Sequence, residues 1–380
     1  VDAALLEEFG LGDARERAES WRYSAQALRA LGAQSFVAAD AAATPPPALM
    51  ERCDWAETRG RRLVFVNGRL SAAHSDWRAL AQARPEVRID SGPAGATVIV
   101  LPAGRTGLLH IVWASVPGAA PGRWNATCAI RLEGGTAHVI EQHLAAPGAD
   151  VLGALGSELE VAAGAALHLT VLSDLPAAAS LYRRVRATLR ERGVLCTTHA
   201  LGGGRLQRFD FACDLAQPEA RCELRGVFAA QGREHIDAHL EVRHAARDTA
   251  SDVLWRGVAD GRGRGVLHGA IRVESGADGA DARLQTKNLL LSPHAEIDAQ
   301  PVLEIHADEV KASHGATVGR LDERALFYLR SRGVPERAAR AMLIEGFCRE
   351  AFAVLDDAAL GARLDTWLAT HVAAGGERRP

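Results

Sequence analysis

The densest run of ligand-capable side chains is Glu304 to Arg320, EIHADEVKASHGATVGR, with Glu304, His306, Asp308, Glu309, Lys311 and His314 close together. Imidazole and carboxylate donors suit iron or zinc, so one reading is a borderline ligand site. The plainer reading is a solvated edge that closes a strand region. His235 and His239 satisfy HxxxH, which on a helix would put two donors on one face. Here Ile236, Ala238, Leu240 and Val242 alternate inward instead. That makes a strand, with His235, Asp237, His239, Glu241 and Arg243 on an outward face expected to be solvated. The run from Gly261 to Gly265 reads as a turn between strands, and Gly202 to Gly204 lacks a following GK[ST], so a P-loop NTPase is excluded. No GxSxG occurs. A Ser-His-Asp set can assemble in space, but nothing in the linear sequence marks one. The six cysteines, at 53, 128, 196, 213, 222 and 348, form no CxxC pair. Their spacing argues against a zinc or disulfide framework, and Cys128, Cys196, Cys213 and Cys222 read as buried small hydrophobes rather than ligands.

The composition narrows the partners. The chain has 380 residues, 48% hydrophobic and 24% charged, with formal net charge −3. That is enough chain for a sizeable core and about two or three domains. A weak negative balance leaves no electrostatic footprint for nucleic acid or an anionic membrane. Lys287 and Lys311 are the only lysines, which leaves little room for Schiff-base chemistry. Asp2, Glu7 and Glu8 stand where a secretory signal would carry basic residues. No apolar run approaches the ~20 residues of a membrane helix. Cytoplasmic location is the expectation.

Three regions must position these residues. Residues 1–94 read as mostly helical, over Asp13–Ala33 and Ser75–Ala83, with a hairpin at Arg62–Leu70 turning on Asn67-Gly68. Residues 95–318 carry about twelve short alternating runs punctuated by Gly, Asp, Asn and Pro. Recurring glycines, among them Gly153, Gly164, Gly226, Gly232, Gly265 and Gly276, favour stacked coils over a sandwich or a barrel. Ala178–Arg192 reads as one helical interruption, stopped by Gly193. Residues 319–380 are helical. Asp322 caps Glu323–Ser331, Gly333 stops it, Pro335 opens a second helix to Leu355, and a third runs over Ala358–Ala374.

Several segments together resemble the SufB/SufD family of the Suf iron–sulfur cluster assembly system. They are Gln285–Ser292, Glu304-Ile305, Asp308–Gly319, Leu321-Asp322 and Phe327–Gly333, preceded by His244, Thr249, Ser251, Gly257 and Asp260–Val266. Glu19–Tyr23 and Leu63–Gly68 are similar to the family's early signatures. The resemblance is closer to SufD-type members than to SufB. It implies a right-handed parallel β-helix flanked by helical regions, and a non-catalytic scaffold subunit. It implies a complex with a SufB-like homologue and a SufC-like ABC ATPase; whether the isolated chain forms a homodimer is not settled by the residues. The family's SHG histidine corresponds to His314, which the resemblance makes a ligand of a transient iron–sulfur cluster shared with the SufB-like partner. Many relatives carry Cys two residues earlier. Here that residue is Ala312, so any thiolate would come from the partner.

The C-terminal helices are the expected ATPase dock. Phe327, Tyr328, Met342 and Phe347 supply apolar contact and Arg330 and Arg332 a basic rim, a mix suited to a protein partner. Phe327 and Leu329 are also expected to cap the solenoid. A different class, a secreted-type β-helix polysaccharide lyase or hydrolase, shares such a fold. Its grooves are rich in aromatics and clustered acids, whereas this chain is 5% aromatic.

Overall fold

The computed structural model describes residues 21–59, 61–76, 88–91, 96–103, 105–353 and 357–372. Its centre is a parallel solenoid in which alternate strands go to two facing sheets. Sheet I runs through β5 (Thr97–Leu101), β7 (Gly122–Leu132), β9 (Val151–Val161), β11 (Ser180–Leu189), β13 (Leu206–Leu215), β15 (His235–His244), β17 (Arg264–Val273) and β19 (Glu296–Ile305). Sheet II runs through β2 (Arg62–Val66), β6 (Arg105–Ser115), β8 (Thr136–Ala145), β10 (Ala166–Leu175), β12 (Val194–Gly203), β14 (Arg221–Ala230), β16 (Ala250–Ala259), β18 (Asp281–Leu290) and β20 (Lys311–Gly319). Each coil takes about 29 residues, too short a period to bury its own apolar face without neighbours. The core is the single stack of inward side chains between the sheets, from Leu63 and Phe65 to Leu284 and Ile297.

The recurring glycines do two jobs. At coil corners Gly164, Gly232 and Gly276 take positive φ of 66°, 59° and 83°. Within strands, Gly153 and Gly226 make room for indoles: an added Cβ would lie 2.5 Å from Trp124 or Trp255. The hairpin forms as expected, with Asn67 (φ 45°) and Gly68 (φ 83°) joining β2 to β3 (Arg69–Leu70).

Ala178–Arg192 is not a helix. Its Arg- and Ala-rich composition favours one locally, but Ser180–Leu189 is β11, paired in register with β9 and β13. Leu181, Val185, Ala187 and Leu189 alternate into the core, and the ladder on both sides overrides propensity. Before the solenoid lie α1 (Ala25–Gly32), β1 (Val37–Ala38), the short α2 (Pro47–Glu51), a 3-10 turn at Ala56–Thr58 and, among the strands, β4 (Arg88–Ser91). The helix expected at Ser75–Ala83 falls largely outside the described residues.

After the solenoid come α3 (Glu323–Ser331), α4 (Glu336–Arg349), a 3-10 turn at Glu350–Phe352 and α5 (Ala358–His371). Asp322 caps α3, its carboxylate accepting from the Arg324 and Ala325 amides, and Gly333 at φ 84° ends it. No described helix is long and apolar enough to cross a membrane.

Candidate functional site: the open last coil

His314 sits in β20, and register defines its place. Leu169, Thr197, Leu224, Val253, Leu284 and His314 are successive rungs of one column in sheet II. The first five are buried in the solenoid. His314 is exposed, because β19 and β20 are the outermost strands and no described strand covers them. Ala312 lies two residues back on the same face and packs against the core. Gly315 has open space where a side chain would be. The last coil also exposes Ile305 (40%) and Val318 (43%), apolar residues of a kind that earlier coils bury.

The remaining members of the polar cluster do not gather around His314. Glu304 accepts from Arg272 at 2.8 Å, and His306, Asp308, Glu309 and Lys311 are exposed. Among the described residues no three His, Cys, Asp or Glu side chains converge to hold a metal. His314 is therefore an imidazole at an uncovered edge, outside any three-donor cluster of the described residues.

The C-terminal helices pack on the outer face of sheet II. Ile344, Cys348, Ala351, Phe352, Leu364 and Trp367 meet Ile140, Leu172, Ala200, Val227 and Val258. Buried Arg256 bolts them down, with its guanidinium 2.8 Å from Glu350 and 5.5 Å from the Phe347 ring. Phe347 is thus half-buried in the anchor. Phe327 (72%), Tyr328 (57%) and Met342 (54%) face solvent. Phe327 therefore does not cap the solenoid. Arg332 lies 5.3 Å from the Tyr328 ring, and Arg330 pairs loosely with Glu336 at 3.5 Å.

Two buried charged clusters escaped the sequence reading. Inside the middle coils Arg183 grips Glu141, with Nε donating at 2.5 Å, and His143 adds a 2.6 Å contact. Burial alone would raise the Glu141 carboxyl, but Arg183 and His143 hold it well below the usual carboxylate range. Burial keeps His143 and His199 neutral. The available signal was Val139, Glu141 and His143 at inward positions of one alternating strand. The second cluster corrects the solvated-face reading of His235 and Asp237. Both point out of the solenoid as expected, yet are 7% and 1% exposed, because the segment around Trp21 and Ser24 covers them. That cover comes from 211 residues away, which strand alternation cannot reveal. Three other cysteines, Cys128, Cys213 and Cys222, are buried as expected, and Cys196 is half-buried.

These features describe a class: a parallel β-solenoid whose last coil stays open, with a histidine on display and a helical unit clamped to one flank. The family model for "SUF system FeS cluster assembly, SufBD core domain" matches residues 118–347. The chain belongs to the SufB/SufD family of iron–sulfur cluster assembly proteins. It is 35% identical over 158 residues to the iron–sulfur cluster assembly protein SufD of Escherichia coli K12, covering 42% of this chain and 37% of that protein. It is 36% identical over 156 residues to a SufBD family protein of Mycobacterium leprae, covering 39% and 40%. A Synechocystis SufBD family protein is 32% identical over 162 residues, covering 43% and 36%. The chain thus spans less than half the length of these curated relatives.

Proposed function

We propose that this chain is a non-catalytic subunit of an iron–sulfur cluster assembly scaffold. It joins a SufB-like homologue through its open last coil and carries a SufC-like ABC ATPase on its C-terminal helices. The cluster is cargo, built and passed on, and His314 is this chain's ligand to it while a partner thiolate supplies the soft donor. The observation that carries the reading is a histidine left exposed in an otherwise buried inward column, at the uncovered edge of two sheets. An edge with exposed Ile305 and Val318 needs cover, and a homologous solenoid supplies matching strands. Without that homologue, a second copy of this chain would take its place. The exposed Phe327, Tyr328 and Met342 with Arg330 and Arg332 form the ATPase contact, and half-buried Phe347 fixes the helix that presents it. Six unpaired cysteines fit a reducing, cytoplasmic setting. Family membership weighs against the carbohydrate-active alternative.

The test is co-purification with both partners. Ile305→Lys with Val318→Lys should abolish retention of the SufB-like homologue while melting stays within a few degrees. Retention at the wild-type level would move that interface elsewhere.

A further inference from the structure

We propose that residues 21–34 form a strap that lifts from the outer face of sheet I on mild acidification while the solenoid stays folded, with His235 as the group that reads the proton. The strap has a modest apolar footing: Trp21, Leu28 and Leu31 rest on Leu152, Ala154, Tyr182 and Leu206. Beneath it lies a polar relay. The Ser24 hydroxyl has one proton, which it donates to the Asp237 carboxylate. Its oxygen therefore accepts from Nε2–H of His235, 2.8 Å away. Asp237 in turn accepts from Nη1 of Arg208 at 2.7 Å, and the Arg208 guanidinium lies 4.5 Å from the Trp21 ring. A buried ion pair contributes little net stability once desolvation is counted, so this contact holds the strap only while every member is satisfied. Beyond the strap, Val37 donates to the Pro121 carbonyl at 3.0 Å and β1 pairs with β7. The segment is thus tethered when it lifts.

The proton acts through His235. It is faced by Asp237 on its own strand, Arg208 on β13, Arg264 on β17 and Asp298 on β19, with Ser24 above. With Nε2–H committed to Ser24, a second proton must enter at Nδ1 of a ring that is 7% exposed. Burial first, then these arginines, hold the docked imidazole down to about 4, against Asp237 and Asp298. Once uncovered, the ring regains the ordinary ~6.5. A folded-state value below the free one means that docking is fully favoured above ~6.5 and weakens as pH falls toward about 4. At pH 5 this linkage shifts docking by roughly 30-fold. Asp237 stays ionised through that window, since Arg208 and His239 outweigh burial and hold its carboxyl below the usual range. His268, held to about 4 by burial and then by His239, stacks on His239 at 4.8 Å and takes no part in the Ser24 relay.

Hydrogen exchange on the full chain reads this directly, at pH 7 and pH 5 with intrinsic rates corrected. The amides of 25–32 should lose roughly 30-fold protection at pH 5, with β9 to β17 unchanged. His235→Gln keeps a side-chain N–H for Ser24 but cannot titrate, so its strap should be equally protected at both pH values. Ser24→Ala, placed on the strap itself, should lose protection already at pH 7. The proposal is overturned if wild-type 25–32 stays protected at pH 5, if the strands open with it, or if the pH effect survives in His235→Gln. Unchanged protection in Ser24→Ala would remove the relay and overturn it as well.

Discussion

Leu224 and His314 occupy the same inward column of sheet II, three rungs apart, in opposite environments. In the middle coils each such residue has a covered rung on both sides and vanishes from solvent. In the last coil the same geometry leaves the side chain in the open. One repeat thus makes both core and site, and coverage decides between them. The chemistry follows that division: inside the middle coils Glu141 is paired with Arg183, whereas His314 stands at an open edge outside any three-donor cluster of the described residues.

Substitutions on the two sides of that division should separate cleanly. The largest effect belongs to the middle. Glu141→Gln leaves the Arg183 guanidinium buried without its counter-ion and should cost about 3–5 kcal/mol in chemical denaturation. The same variant should flatten the acid limb of the stability curve. Glu141 is held below its ordinary range, so its contribution is full above that range and is lost as pH falls through it. Burial holds its neighbours His143 and His199 below the ordinary imidazole value, so they too lose stability in acid, starting higher, below ~6.5. A stability profile as steep in Glu141→Gln as in wild type would show that the buried pair does not govern acid unfolding.

Leu284, one rung inside His314, marks the transition. Leu284→Ala should cost about 2–3 kcal/mol, the low end for a buried leucine, because only the open coil lies beyond it. His314→Ala should change stability by no more than ~0.5 kcal/mol, as for an exposed residue with no structural partner. A larger loss at 314 than at 284 would erase the distinction between site and core.

Much of this division was legible in the residues, and the rest was not for definite reasons. Strand alternation in His235–Arg243 and the turn at Gly261–Gly265 revealed stacked coils, because inward periodicity is local. Ser180–Leu189 misled, because its Arg and Ala content speaks for a helix and only its neighbours in β9 and β13 speak for a strand. The cover over His235 was invisible for a similar reason: Ser24 is remote in sequence. His314 stood out through the resemblance of its SHG motif, yet its place at the end of a buried column emerges only from register. Phe347 and Met342, five residues apart on α4, look equally apolar in sequence, and packing alone assigns one to the anchor and the other to the surface.

In the proposed role, loss of cover turns a core position into a cluster ligand at His314. The measurement is cluster content on the complex of this chain with the proposed SufB-like and SufC-like partners, reconstituted with iron and sulfide and read by absorbance and iron analysis, for wild type and His314→Ala. The account predicts a loss of at least several-fold in bound cluster, with the complex assembled at unchanged stoichiometry and melting temperature. Wild-type cluster content on the intact His314→Ala complex would contradict it.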